Sequence, residues 1–115
     1  MKTANGDRAN GILAESIRKG GFDHEQIYRN GRVAVYARWT QGGIRERAHY
    51  ETIIVGWQDS RMMGGRLIEA GEYYPGASSF GVSAWTYKTM TEAMARAMQC
   101  VENDANREEQ KGEKL

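Results

Sequence analysis

The chain has 115 residues, 40% hydrophobic and 10% aromatic, which suits one folded domain and excludes a disordered composition. Sixteen basic against fifteen acidic residues leave a formal net charge of +1, so no global field draws the chain to nucleic acid or a membrane. Cys100, the single cysteine, excludes an intrachain disulfide and fits a reducing compartment. With no apolar core of signal-peptide length and no apolar run of roughly 18 residues, a soluble cytoplasmic protein is expected.

In chain order, residues 1–7 are polar and expected to fray. Residues 8–19 read as a short helix with Ile12, Leu13 and Ile17 on an apolar edge, although Gly11 weakens it. Arg18 and Lys19 complement the helix C-terminus, and Gly20-Gly21 stops it. Asn30-Gly31 between apolar runs then predicts a β-hairpin through a type I′ turn, which needs φ > 0 at both central residues. Val33, Val35, Ala37 and Trp39 share one strand face and are assigned to the core, leaving Arg32, Ala34, Tyr36 and Arg38 on the other.

Gln41-Gly42-Gly43 is the next turn, and residues 45–57 read as one long strand. Ile53, Val55 and Trp57 are in phase with His49 and Glu51, while Tyr50, Thr52 and Ile54 face the other way. Apolar residues on both sides near Ile53–Val55 predict a central strand covered on both faces. Residues 58–65 read as a loop, 66–74 as strand interrupted by Gly71, 74–83 as a loop and 84–88 as a short strand. Thr89 with Glu92 three residues later is a capping box. Met94, Ala97, Met98 and Val101 follow at helical spacing, in a helix ending between 103 and 110.

The expected fold is therefore α+β: a short N-terminal helix, an antiparallel meander of three to five strands and a C-terminal helix packed on one face. The expected organisation is a flexible N-terminus over 1–7, one domain over 8–103 and a charged, frayed tail over 104–115.

Three constellations carry possible chemistry. The first is His49 and Glu51, in phase on one strand with Arg47 beside them: a general acid/base pair with an arginine for a phosphate, as a small nuclease or transferase would use. The opposing reading is a solvated strand end. Asp23-His24-Glu25 has no further histidine cluster around it, and two histidines and one cysteine match no zinc spacing, so neither metal nor cofactor is expected. No P-loop, nucleophile elbow or dinucleotide fingerprint is present, and Cys100 lies on the apolar stripe of the closing helix as a small, partly buried thiol.

The second is a nucleic-acid surface. Residues 29–66 hold seven arginines against three acids, interleaved with aromatics. Arg32, Arg38, Arg45 and Arg47 with Tyr36 and Trp39 would hold phosphates and stack bases. The element order superficially matches double-stranded-RNA-binding domains, but the last helix lacks their lysine-rich start, and a charged, solvated sheet face explains the same residues.

The third is a protein-binding surface built from Tyr36, Arg38, Arg45 and Arg47 on the sheet with Tyr74 and Phe80 on the 73–83 loop, since Tyr and Arg anchor interfaces. Tucking of Tyr74 and Phe80 under their own loop weighs evenly against it. A homodimer is also plausible for a small sheet with a free edge.

The motifs V-A-x-Y (33–36), H-Y-E (49–51), Y-P-x5-G (74–81), W-T-Y (85–87) and E-A-x-x-x-A (92–97) resemble those of small uncharacterised bacteriophage and mobile-element accessory proteins. That resemblance implies no catalytic residue. It implies an intracellular accessory protein, and by analogy one that binds a host protein or complex, such as an inhibitor of a bacterial defence system of the anti-CRISPR kind.

Overall fold

The computed structural model describes residues 8, 9 and 11–113, with side chains over 11–105. The expected flexible segment 1–7 lies outside the described residues. Where a helix was expected over 8–19, the backbone is extended in three short strands: β1 (Arg8–Ala9), β2 (Ile12–Leu13) and β3 (Ser16–Lys19). Gly11, at φ +79°, reverses the chain between β1 and β2. Leu13 and Ile17 are both buried, as the helix reading required. A spacing of four satisfies period 2 as well as period 3.6, so this pair never distinguished strand from helix. Ile12, which a helix edge would bury, is exposed.

The next strands are β4 (Phe22–Asn30) and β5 (Val33–Thr40). Their hairpin forms one residue out of the expected position: Asn30 pairs with Val33, so Gly31 and Arg32 are the turn, with Gly31 at φ +59° in its first central place. A bulge between Gln26 and Tyr28 then shifts the register. Beyond it, His24 lies opposite Arg38 and Asp23 opposite Trp39.

After a 3₁₀ turn at Arg45–Arg47 the chain forms β6 (His49–Ile54), which ends at the β-hairpin level where Val55 N–H donates to the Arg32 carbonyl. The long strand expected over 45–57 is thus divided. Its start is a 3₁₀ turn, and its end, β7 (Gly56–Gln58), leaves the sheet. The expected loop 58–65 contains a hairpin, β8 (Arg61–Met63) with β9 (Arg66–Ile68). Gly64 and Gly65, at φ +56° and +78°, occupy the two turn positions that need left-handed backbone. β10 (Gly71–Tyr73) returns along β7. Tyr73 lies over Gly56, its ring carbons 2.2–2.6 Å from where a Cβ would stand, so only glycine lets the ring sit there.

Loop 74–83 leads to β11 (Ala84–Tyr87) and then α1 (Met90–Glu113). The helix runs past the end expected between 103 and 110. At its start Thr89 Oγ1 accepts from Glu92 N–H at 3.3 Å and donates to the Glu92 carboxylate at 2.8 Å.

The main sheet is antiparallel with strand order β11-β6-β5-β4-β3. It is a meander through β3–β6, with β11 rejoining beside β6 after the 56–83 excursion. α1 covers one face. Val33 and Val35 of β5 pack there on Ala93, Ala97 and Cys100, flanked by Met94 and Val101. Met98, expected on the buried stripe, points out. Burial pushes the Cys100 thiol above its ordinary range, in keeping with a packing role. The other face is covered by the N-terminal strands and the 74–83 loop, where Leu13, Ile17, Ala34, Tyr36, Ile53, Val55, Tyr74 and Ala84 form a second core. The expectation of a central strand covered on both sides is met by β6 and more fully by β5, buried from Val33 through Ala37.

Candidate functional site

Strand pairing brings Tyr36 beside Glu51 and Glu51 beside Thr86 on the sheet face away from α1. The β4 bulge turns His24 to the same face, next to Arg38. Tyr74, the first residue of the 74–83 loop, closes over them. Its hydroxyl donates to Glu51 Oε1 at 2.5 Å, and Thr86 Oγ1 donates to Glu51 Oε2 at 3.2 Å. His24 Nε2 stands 3.6 Å from Oε1 and Arg38 Nε 3.7 Å from Oε2. The Tyr74 ring meets His24 and Tyr36 edge-on at 5.5 and 5.2 Å. The Tyr36 hydroxyl accepts from Gln26 Nε2 and donates to the Ala14 carbonyl, tying the N-terminal strands to the sheet.

The electrostatics follow from this geometry. Burial pushes the Glu51 carboxyl up, but the donors His24 and Tyr74 and the Arg38 charge outweigh it, holding Glu51 below its ordinary value. Burial, and for Tyr74 the facing carboxylate, pushes both phenols up, Tyr36 to about 12, so they serve as neutral donors. His24 Nδ1 and Arg38 Nε are buried without a hydrogen-bond partner. Carboxylate, imidazole, phenol and guanidinium together are an acid/base donor set. Here they are closed off: His24, Glu51 and Tyr74 are 6%, 3% and 6% exposed. What the arrangement does chemically is fasten four strands and one loop through a single carboxylate.

The expected site residues are redistributed. His49 is exposed, Glu51 is interior, and Arg47 lies on the 3₁₀ turn, so the in-phase triad is not assembled. Tyr36 and Tyr74, expected as partner contacts, are buried, because the sheet face taken as outward carries a second layer. Arg38 lies mostly covered, its guanidinium 4.3 Å from the Phe22 ring centroid. Phe80 is exposed and bridges Ala84. Arg45 stacks on Trp39 at 5.3 Å and pairs with Glu25. Arg32 sits in the hairpin turn at the opposite end of β5 from Trp39. The six residues of the expected nucleic-acid face therefore do not share one surface.

His24 and Thr86 are the members the sequence reading missed. Thr86 was reachable from β11 pairing; His24 was not, since its direction depends on the bulge. Among the described residues no three His, Cys, Asp or Glu side chains are grouped to hold a metal, and no helix is long and apolar enough to cross a membrane.

The surface has one further feature. Exposed large apolar side chains collect on the excursion from β7 to β10: Trp57, Met62, Met63, Leu67 and Tyr73. Met62 and Leu67 are directly opposed across the β8–β9 hairpin and share one of its faces. Arg61, Met63, Arg66 and Ile68 share the other. Every strand residue of this hairpin except Ile68 is exposed. The base of the arm is held by Glu72, whose carboxylate accepts from the two terminal guanidinium nitrogens of Arg29 and from the Leu13 N–H at 2.6–3.2 Å. No protein-family model, curated protein or solved structure matches this chain.

Proposed function

We propose that the chain is a non-enzymatic interaction protein that grips a protein partner with the β7–β10 arm. One observation carries this reading: Met62 and Leu67 stand 66% and 60% exposed on a two-stranded hairpin. An isolated hairpin of this size is marginal in water, and clustered apolar side chains on a monomer mark interaction surfaces. Methionine suits such a role because its unbranched thioether adapts to a partner's contours. The interior carboxylate supports the same reading, since Glu51 is engaged by Tyr74 and Thr86 and closed to a substrate.

In its narrower form, which rests on the resemblance to phage and mobile-element proteins, the partner is a component of a bacterial defence system and the chain acts in the host cytoplasm. The contact residues move accordingly from Tyr36, Arg38, Arg45, Arg47 and Tyr74 to Trp57, Met62, Met63, Leu67 and Tyr73, with Phe80 retained.

Size-exclusion chromatography with light scattering, run with and without host lysate, tests this. The wild-type chain is expected to shift to a stoichiometric complex containing one host protein, and Met62→Ser/Leu67→Ser to stay unshifted. A wild-type chain that elutes unchanged from lysate overturns the proposal. A doubled mass without lysate assigns the arm to a second copy instead.

A further inference from the structure

Trp39 lies at the end of β5, outside the cluster that α1 packs, and separates two surface grooves of unlike charge. The groove toward β3 and β4 is lined by Ser16, Arg18, Asp23 and Glu25 and is neutralised from within: Arg18 pairs with Asp23 at 2.9 Å, and Glu25 pairs with Arg45. The groove on the other side, of about 440 Å³, is lined by Trp39, Thr40, Gly43, Ile44 and Arg47. Its volume lies in the range of small-molecule sites, roughly 300–1,000 Å³. Arg47 has no acidic partner among the described residues, and Glu46, its neighbour on the 3₁₀ turn, does not line the groove. Ile44 contributes an exposed apolar side chain. The Thr40–Gly43 turn, closed by the Gly43 N–H to Thr40 carbonyl bond, brings backbone close enough that a Cβ on Gly43 would stand 3.0 Å from that carbonyl.

We infer that this groove binds a nucleotide, its planar base against Trp39 and Ile44 and its phosphate on the Arg47 guanidinium. The chemistry on each wall favours that ligand. An indole takes any base by stacking, without sequence preference, and Arg45, which stands 5.3 Å from the Trp39 ring centroid, is held on Glu25 and does not line this groove. A guanidinium with unused donors takes a phosphate bidentately. The neighbouring groove, whose charges are already paired, lacks the second half of this combination. The ligand is either a free mononucleotide or the end of a single-stranded nucleic acid. The site is independent of the arm, so a chain that binds a host protein through Met62 and Leu67 retains it.

The test uses the full chain, ¹⁵N-labelled, and follows its three tryptophan indole signals by NMR, with Trp39→Phe assigning the one of interest. Titration with adenosine 5′-monophosphate is expected to move the Trp39 signal saturably and leave Trp57 and Trp85 in place. Arg47→Ala is expected to weaken that response about tenfold or more while leaving the response to adenosine unchanged, because only the phosphate meets Arg47. Arg47→Lys, which keeps the charge and loses the fork, should fall between. Saturation by a short single-stranded oligonucleotide at lower concentration than the mononucleotide assigns the site to nucleic-acid ends. Equal concentrations assign it to free nucleotides. A Trp39 signal unmoved by either probe overturns the inference. So does an equal response to N-acetylglutamate, which would make the groove a dock for a partner's acidic side chain. The spread of the remaining amide signals shows that each variant is folded.

Discussion

The two faces of the five-stranded sheet are filled by different means. Under α1, Val33 and Val35 meet Ala93, Ala97 and Cys100, and the only fully buried hydroxyl among the described polar residues there, Thr52, donates to the Ala93 carbonyl at 2.7 Å. That face packs by volume, and small residues on the helix let it come close. The opposite face is roofed by short strands and a loop, which offer little regular apolar surface of their own. There the covering pieces are fastened by directed bonds: Tyr74 to Glu51, the Ala14 carbonyl to Tyr36, and Glu72 to Arg29. A helix can bury a face by its periodicity alone. Irregular cover needs partners at fixed places, because every unmatched buried polar group costs free energy.

Glu51→Ala tests this contrast most severely. It leaves the Tyr74 hydroxyl and His24 facing an uncompensated space, and is expected to lower stability by about 3–5 kcal/mol in denaturant unfolding. Glu51→Gln, which keeps the shape and one acceptor, should cost less. The pair also reports pH dependence. Glu51 in the folded chain lies below its ordinary 4.5, so its stabilisation is complete above that value and is lost as pH falls through the folded pKa. The acid limb of the stability profile should therefore flatten in Glu51→Gln. An unchanged acid limb would show that the carboxylate does not hold this roof.

Next in size, Val33→Thr adds a hydroxyl under the helix with no partner prepared for it, and should cost about 1–3 kcal/mol despite the similar volume. Its mirror experiment is Tyr36→Phe, which deletes a hydroxyl from the polar face and leaves Gln26 and the Ala14 carbonyl unmatched, at about 1 kcal/mol. Equal tolerance of both changes would erase the distinction between the faces. The smallest effect is expected on the arm: Met62→Ser/Leu67→Ser should change stability by no more than about 0.5 kcal/mol, since both side chains are mostly exposed. A large loss of melting temperature there would mean that the arm belongs to the core rather than to a partner.

Much of the frame was legible in the residues. The alternation through β5, the strand at Ala84–Tyr87 and the helix opening at Thr89 follow from local periodicity and capping, which act over a few residues and are written in them. The Gly-Gly turn of the arm was equally local, but its neighbours Arg61 and Arg66 are exposed and follow no apolar alternation, so nothing marked them as strands. The candidate sites were less legible. Trp39 and Arg47 were grouped with Arg32, Tyr36, Arg38 and Arg45 on one sheet face, whereas the 3₁₀ turn at Arg45–Arg47 sets the two around a groove that none of those four lines.

What the sequence by itself determined is that β5 and β11 extend and that a helix begins after Thr89, because hydrogen-bonding side chains and apolar period decide these within a few residues. Which side of the sheet each polar residue faces was decided only in the tertiary structure. A single extra residue between Gln26 and Tyr28 turns His24 from the side of Trp39 to the side of Arg38, and Leu13 and Ile17 become strand rather than helix only when a sheet is present to receive them. Period 2 makes one inserted residue reverse every side chain beyond it, and the energy that fixes the insertion comes from the covering layer, which lies elsewhere in the chain.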